Sequence, residues 1–218
     1  MAIEIDHMFI GCRPGGPEAD SLLKRGFVEG SPNTHPGQGT ANRRFFFDNF
    51  MLELLWIVDE AEVTSEQTRR TRLWERCAYP ATGNCPFGIL FRSDANRSPP
   101  PFQTWAYFPS YLPAGTAIEF AEETTLQEPE LIYLPFLRAR EPTSEPAKHG
   151  LPFHRFRSAG VGVQNPAALS QAALATQQLG QLRYFESERS LLELHFEGGS
   201  KEPVDLRPEL PLILRGDP

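Results

Sequence analysis

Alternating apolar and polar residues at the start of the chain predict a half-buried strand over residues 3–11. The alternation assigns one face of this strand to Ile3, Ile5, His7 and Phe9. Residues 18–26 predict a short helix with an acidic first turn and a basic last turn, closed by a glycine. A weaker strand is predicted at residues 27–31, where the sequence is FVEGS.

Two apolar stretches, at residues 41–48 and 50–58, meet at the turn-prone pair Asp48 and Asn49. This pattern predicts a β-hairpin. Opposed residues of an antiparallel hairpin share a face, and a turn at this pair sets Arg44 opposite Glu53. The predicted order for the N-terminal sixty residues is therefore strand, helix and three further strands.

The same order is predicted again near the end of the chain. Residues 155–163 are strand-like, residues 165–180 begin with Asn-Pro and end with glycine as a helix should, and a hairpin follows at 182–199. A turn centred on Glu188 places Arg183 opposite Glu193, as Arg44 is opposite Glu53. The last strand is expected at 210–216.

The stretch between the two copies contains four candidate strands, at residues 86–92, 104–108, 116–122 and 131–135. The predicted organisation is a first module at 1–60, an intervening strand-rich segment at 61–150 and a second, degenerate module at 151–218.

Composition narrows the class of protein. The 218 residues carry a formal net charge of −7, which gives no electrostatic reason to expect a nucleic acid partner. Three cysteines without a CxxC spacing disfavour a disulfide framework and a zinc knuckle. The chain opens without a secretory pattern and contains no apolar run of about 18 residues, so we expect a cytoplasmic protein that does not enter membranes.

Glu53 and Glu193 occupy strands that are otherwise apolar. Glu53 shares its predicted face with Met51, Leu55 and Ile57. A carboxylate there is costly to bury unless it is paired, metal-bound or protonated. Two interpretations remain open: a structural ion pair with the opposed arginine, or a polar cluster that lines a ligand pocket.

The segment HPGQGTAN, residues 35–42, combines glycines with the polar side chains His35, Gln38, Thr40 and Asn42. It lacks the ending and the following helix of a phosphate-binding loop. It is either a plain connecting loop or part of a pocket wall.

Two duplicated β-α-β-β-β modules with a histidine in the first strand, His7, and a glutamate in the fourth, Glu53, resemble the vicinal oxygen chelate superfamily. Residues 35–56, HPGQGTANRRFFFDNFMLELLW, resemble its glyoxalase-like domain family. The resemblance implies an α+β fold in which paired βαβββ modules form a cupped mixed sheet. It also implies one divalent ion, held by a ligand from the first and last strand of each module.

His7, Glu53 and Glu193 match three of those four ligand positions. The fourth falls in SAGVGV, where Ala159, Gly160 or Gly162 supplies no ligand, and His195 or His154 would have to replace it. Zinc, nickel, iron or manganese would suit such a set of nitrogen and oxygen ligands.

The implied function is that of a glyoxalase-like protein acting on a small oxygenated molecule, with metal-assisted lyase, isomerase or dioxygenase chemistry. Glu53 and Glu193 are the expected catalytic residues, and the expected substrate-binding residues are His35, Asn42, Arg44 and Arg183. The alternatives are a metal-free protein that binds or sequesters a small, anionic or aromatic molecule, and a scaffold without a ligand. The chain is expected to be a monomer or a homodimer.

Overall fold

The computed structural model describes residues 3–78, 81–93, 98–137, 144–199 and 202–217. The first part of the chain forms four strands and one helix, in the predicted order: β1 (Ile3–Gly11), α1 (Ala19–Lys24), β2 (Asn33–His35), β3 (Thr40–Phe46) and β4 (Met51–Ile57). The middle part contains α2 (Glu60–Val63), a 3₁₀ turn (Arg69–Thr71), α3 (Leu73–Cys77), β5 (Phe87–Ser93), β6 (Thr104–Tyr107), β7 (Ile118–Ala121) and β8 (Glu130–Leu134). All four strands expected in this part are present.

The described residues of the last part form five strands and one α-helix: β9 (Arg155–Val163), α4 (Gln171–Gln177), β10 (Leu182–Glu186), β11 (Leu191–Glu197), β12 (Val204–Asp205) and β13 (Leu212–Asp217). A 3₁₀ turn at Pro166–Ala168 precedes α4. None of the described helices has both the length and the apolar character needed to cross a lipid bilayer.

An eight-stranded sheet joins the first and middle parts of the chain, with the order β2-β3-β4-β1-β5-β8-β7-β6. In the first half β1 is parallel to β4, and β4 and β2 are each antiparallel to β3. The second half repeats this pattern with β5 parallel to β8, and β7 antiparallel to both β8 and β6. The predicted class, an α+β fold with paired modules in a cupped mixed sheet, is confirmed. The repeat of the first module's strand pattern lies in residues 87–134, and residues 98–103 of its β5–β6 connection contain no helix.

A second sheet holds the C-terminal strands in the order β10-β9-β11-β13-β12. The expected hairpin between β10 and β11 is wrong, because β9 lies between them and pairs with both. This order differs from that of the first module, so residues 151–218 do not repeat its topology. The division of the chain into units at 1–60, 61–150 and 151–218 stays a prediction.

The first hairpin has the predicted register. Arg44 pairs with Glu53 across β3 and β4, and the Phe47 amide donates to the Phe50 carbonyl at 2.8 Å. The strand expected at residues 27–31 is wrong. The Gly30 amide donates to the Arg44 carbonyl at 2.9 Å, but the ladder beside β3 begins only at Asn33.

A β-bulge interrupts β1 between Ile5 and His7. Ile3 and Ile5 therefore enter the same core as Met8 and Ile10, and His7 and Phe9 turn to the other face. The prediction that Ile3, Ile5, His7 and Phe9 share one face is wrong, because the extra residue of a bulge reverses the alternation.

The main core lies between the two sheets. Phe50 stacks on Phe156 with ring centroids 4.3 Å apart, and Phe47 approaches Phe196 at 4.6 Å. Leucines on both sides of each glutamate enter this core: Leu52 and Leu54 from β4, and Leu192 and Leu194 from β11. Because side chains alternate along a strand, Glu53 and Glu193 point away from this core, on opposite outer faces of the two layers.

Candidate functional site

A cup lies on the face of the eight-stranded sheet that points away from the smaller sheet. It encloses a cavity of about 190 Å³. Its polar lining is His7, His35, Gln38, Glu53 and Tyr111. The strands of the middle part contribute only apolar side chains to it: Leu90, Ile118, Phe120, Ile132 and Leu134. The strands of the first module therefore supply polar groups to the cup and those of the middle part do not, whereas Tyr111 comes from the loop between β6 and β7.

His7 is held in place from behind by a buried carboxylate. Its Nδ1 lies 2.7 Å from Asp6 Oδ1, and the other oxygen of Asp6 accepts a hydrogen bond of 2.7 Å from Arg92. The bulge in β1 brings these adjacent side chains together. With Nδ1–H donated to Asp6, a neutral His7 presents the lone pair of Nε2 to the cup. That nitrogen is 3.9 Å from Glu53 Oε1.

Glu53 is 9 % exposed and lacks the expected arginine partner. Arg44 stands opposite it in the ladder, but its guanidinium donates to the Ser31 carbonyl at 2.7 Å and lies 3.5 Å from Glu145. In the described part of the chain, neither oxygen of Glu53 accepts a hydrogen bond. The structural ion pair between Arg44 and Glu53 is thus wrong although its register is right.

His35, Gln38 and Tyr111 form a second polar group at the cup. Tyr111 donates its hydroxyl to Gln38 Oε1 at 3.1 Å, and Gln38 donates from Nε2 to Thr40 Oγ1 at 2.8 Å. His35 Nδ1 lies 2.8 Å from the same hydroxyl oxygen. Burial lowers the pKa of His35 below its usual value, against the opposing charge of Glu53. Burial also raises the pKa of Tyr111, with smaller contributions from Tyr107 and Glu53.

Asn42 is fully buried beside the cup but does not line it. Its Oδ1 accepts from the Asn33 amide at 3.2 Å, whereas its Nδ2 has no hydrogen-bond partner among the described residues. Of the four expected substrate-binding residues, only His35 reaches the cavity. Asn42 and Arg44 lie near it on the same sheet, and Arg183 is on the other sheet.

Glu193 belongs to a different cluster, on the outer face of the smaller sheet. Arg183 and Arg215 each donate to one of its oxygens at 2.8 Å. Both Arg183 and Glu193 pair with Gly160 on β9, and an added Cβ there would lie 3.2 Å from the Arg183 guanidinium. The absence of a side chain at Gly160 thus lets Arg183 reach across the strand.

The arginines dominate the electrostatics of this cluster. Burial acts to raise the pKa of Glu193, but the hydrogen bond and charge of Arg215 and the charges of Arg183 and His195 outweigh it, so the pKa is lowered. Burial and Arg183 lower the pKa of His195, whose Nε2 is 3.9 Å from Glu193. The ion pair of Arg183 with Glu193 was expected, but it forms across an intervening strand.

The expected metal ligands are not brought together. His7 and Glu53 line the cup, whereas Glu193 and His195 face outwards from the other sheet and His154 is exposed. No group of three or more metal-binding side chains occurs within the described ranges. Where a second pair of ligands would complete the cup, the middle strands present Leu90, Ile132 and Leu134. The residues present do not fit a complete vicinal-oxygen-chelate metal site.

Two features of the cup were not predicted from the sequence. Asp6 was assigned to the face opposite His7, since strict alternation gives no sign of a bulge. Tyr111 lies in a proline-containing loop without a recognisable motif. Gln38, by contrast, was among the polar residues of the HPGQGTAN segment.

No known protein-family model matches the sequence, and no curated protein matches it either. Similarity appears among solved structures. A hypothetical protein from Staphylococcus aureus aligns with a TM-score of 0.52 at 10 % identity, over 99 % of both chains. At this identity the match shows the fold alone.

Two enzymes show weaker similarity. A fusion of a xylose isomerase-like TIM barrel with 4-hydroxyphenylpyruvate dioxygenase aligns over 88 % of this chain and 36 % of its own, at 9 % identity and a TM-score of 0.44. A mutant of 4-hydroxymandelate synthase from Streptomyces coelicolor aligns over 98 % of this chain and 62 % of its own, at 12 % identity and a TM-score of 0.41. Scores this low support no inference about activity. The fold is of the glyoxalase type, with mixed cupped sheets.

Proposed function

We propose that this is a glyoxalase-like protein that binds a small molecule in the cup of its eight-stranded sheet, without a metal ion. The carrying observation is the asymmetry of the cup. Its first-module side supplies His7 and Glu53, and the side formed by β5 and β8 supplies leucine and isoleucine where further metal ligands would be needed. Such a cavity, apolar with a few convergent polar groups, has the usual character of a small-molecule site.

The fit favours a compact ligand with one polar end. A cavity of about 190 Å³ admits a molecule of the size of a substituted single ring or a short branched chain. Its apolar part would lie against Leu90 and Ile132, and its polar end would reach Glu53 and His7.

A second candidate is acid–base catalysis by His7 on the bound molecule. The bond from His7 Nδ1 to Asp6 favours it, because a carboxylate behind a histidine fixes the tautomer that leaves Nε2 free to take a proton. The cup offers little for stabilising an oxyanion, since His7, Tyr111 and Gln38 each already donate to a protein acceptor and only a second Nε2 hydrogen of Gln38 is left among these bonds. Binding is therefore the better supported of the two.

A fragment screen by thermal shift tests the proposal, run on the wild type, Leu90→Trp and Leu174→Trp. Leu90 lines the cup, and its replacement fills the cavity; Leu174 is an exposed residue of α4 and supplies the matched control. We expect fragments that stabilise the wild type and Leu174→Trp but not Leu90→Trp. Fragments that stabilise all three equally would show that the site lies elsewhere.

Metal is tested separately, with protein purified without chelator. Zinc, nickel, manganese and iron(II) are each added, and metal content and thermal stability are measured. Stoichiometric metal that is lost in both His7→Gln and Glu53→Gln would contradict the metal-free proposal. Turnover of a bound fragment that requires His7 would favour the second candidate.

A further inference from the structure

Glu53 presents free hydrogen-bond acceptors to the cup. Glu53 is 9 % exposed, and within the described ranges its two oxygens accept no hydrogen bond. Its nearest ion-pair partner atom is His7 Nε2, at 3.9 Å, which is too far for a hydrogen bond. Because Glu53 lines the cavity, its remaining donors must come from there, from water or from a ligand.

Each polar group that lines the cavity beside Glu53 already donates to a protein acceptor, although Gln38 keeps a second Nε2 hydrogen and the unpartnered Asn42 Nδ2 lies beside the cavity without lining it. His7 uses Nδ1 for Asp6, Tyr111 uses its hydroxyl for Gln38, and Gln38 uses Nε2 for Thr40. With Nδ1 protonated, neutral His7 offers only the Nε2 lone pair to the cavity. A ligand therefore meets acceptors on Glu53 and on His7.

The described lining of the cup is also one-sided in charge. Among the described residues that line the cavity, Glu53 is the only carboxylate and none is lysine or arginine. Two described arginines of the same sheet have other partners: Arg44 contacts the Ser31 carbonyl and Glu145, and Arg92 contacts Asp6 and Glu4. Aromatic rings of Phe9, Phe120 and Tyr111 line the same cavity, and such rings attract cations.

We infer that the ligand of the cup is a small organic cation with N–H donors, namely a protonated amine on an apolar body. Its ammonium group donates to Glu53 and to His7 Nε2, and its body packs against the apolar wall formed by Leu90, Ile132 and Leu134. An ammonium supplies both the missing donors and the opposite charge, whereas a hydroxyl supplies only a donor. A carboxylate ligand is disfavoured, because it would add a second negative charge beside Glu53. This inference rests on the proposed function and specifies the ligand for the same cup.

Three probes that share a phenyl body separate these ligand classes: benzylamine, which is protonated at neutral pH, benzyl alcohol and benzoate. Dissociation constants are measured by ligand-observed NMR for the wild type, Glu53→Gln, Glu53→Asp and Glu123→Gln. The last variant removes one negative charge at an exposed position away from the cup and is the matched control. Circular dichroism verifies that each variant is folded.

We expect the wild type and Glu123→Gln to bind benzylamine most tightly and benzoate least. Glu53→Gln should weaken benzylamine by about tenfold or more, as loss of a charge-assisted hydrogen bond predicts, with little effect on benzyl alcohol. Glu53→Asp keeps the charge and should keep the preference for benzylamine over benzoate.

The outcomes distinguish this inference from the function on which it rests. Benzoate or benzyl alcohol that binds the cup at least as tightly as benzylamine would overturn the ligand class and leave the binding function standing. An unchanged ratio of benzylamine to benzoate affinity in Glu53→Gln would do the same. Failure of all three probes to bind, together with a fragment screen without hits sensitive to Leu90→Trp, would overturn both.

Discussion

Glu53 and Glu193 stand in the same sequence motif, leucine-glutamate-leucine, but neutralising them should have opposite effects on stability. Glu193 accepts hydrogen bonds of 2.8 Å from Arg183 and Arg215, whereas Glu53 accepts none from the described residues. We therefore expect Glu193→Gln to destabilise the protein and Glu53→Gln to leave its stability unchanged or slightly increased. The two substitutions are chemically identical, so each is the control for the other.

The magnitude follows from the surroundings of each carboxylate. A hydrogen bond to a charged group contributes about 1.5–3 kcal/mol when it is buried. The side chains of Arg183 and Arg215 are 55 % and 39 % exposed, so solvent screening reduces this contribution. We expect Glu193→Gln to lower the free energy of unfolding by about 1–2 kcal/mol in total. Glu53→Gln replaces an unpaired buried charge by a neutral amide and should change the free energy of unfolding by about 0 to +1 kcal/mol.

Urea denaturation at neutral pH measures both variants against the wild type. With a slope of about 2–3 kcal/mol per M, the expected loss for Glu193→Gln lowers the midpoint by roughly 0.5 M. Glu53→Gln should unfold at or slightly above the wild-type midpoint with the same slope. A loss for Glu53→Gln as large as that for Glu193→Gln would refute the reasoning, since it would mean that Glu53 has a stabilising partner in the folded protein.

Three further predictions concern the rest of the molecule. Arg76→Met should lower the free energy of unfolding in urea by about 3–5 kcal/mol, because Arg76 is fully buried and donates to Glu130 at 2.8 Å. Arg70→Met, which breaks an exposed pair with Glu122, should lower it by less than about 1 kcal/mol. Equal losses for the two variants would contradict the view that the buried pair is the more important one. Gly160→Val should displace Arg183 from Glu193 and lower the free energy of unfolding by about 1 kcal/mol or more. In the Glu193→Gln background the same substitution should have little further effect. Full additivity in this double-mutant cycle would count against the contact across β9. Because burial lowers the pKa of His35, the unfolded chain binds the proton more readily, so the stability that this group contributes is complete above about pH 6.5 and is lost as the pH falls through the lower folded-state pKa. The free energy of unfolding between pH 7.5 and 5 should therefore fall less steeply in His35→Gln than in the wild type. Identical slopes would show that His35 is not protected from protonation.

Local patterns predicted much of the fold. The turn at Asp48 and Asn49 fixed the register of the first hairpin, because two turn residues between alternating strands leave one pairing that buries the apolar faces. The four strands of the middle part were found from their apolar stretches. Strand partners were harder to predict, since they depend on contacts between segments that are far apart in the sequence.

The C-terminal strands illustrate this limit. Arg183 and Glu193 do meet, and the repeated motif predicted that they would. Nothing in their own segment reveals that β9 inserts between them, and that Gly160 leaves room for the contact. The partner of the first module was consequently sought at the end of the chain, although β5 to β8 repeat its strand pattern without repeating its polar residues.

The candidate site was predicted in part. His7 and His35 were identified through the resemblance to the glyoxalase-like family and Glu53 also from its place in an apolar strand, and all three line the cup. The expected ion pair of Arg44 with Glu53 was wrong, because strand register determines the face on which a side chain lies but not the acceptor that its flexible guanidinium contacts. Asp6 was missed because a one-residue bulge reverses a face and leaves no signature in composition.

The central claim is that the ligand site is the cup at His7 and Glu53, and that the Glu193 cluster is not part of it. Histidine side-chain NMR measures this most directly, with ¹³C-labelled histidine rings, assignments from single His→Gln variants, and titration of fragments that stabilise the wild type. We predict that the resonances of His7 and His35 shift with each bound fragment while those of His195 and His154 stay in place. Shifts confined to His195, with His7 and His35 unmoved, would contradict the claim and place the site on the smaller sheet.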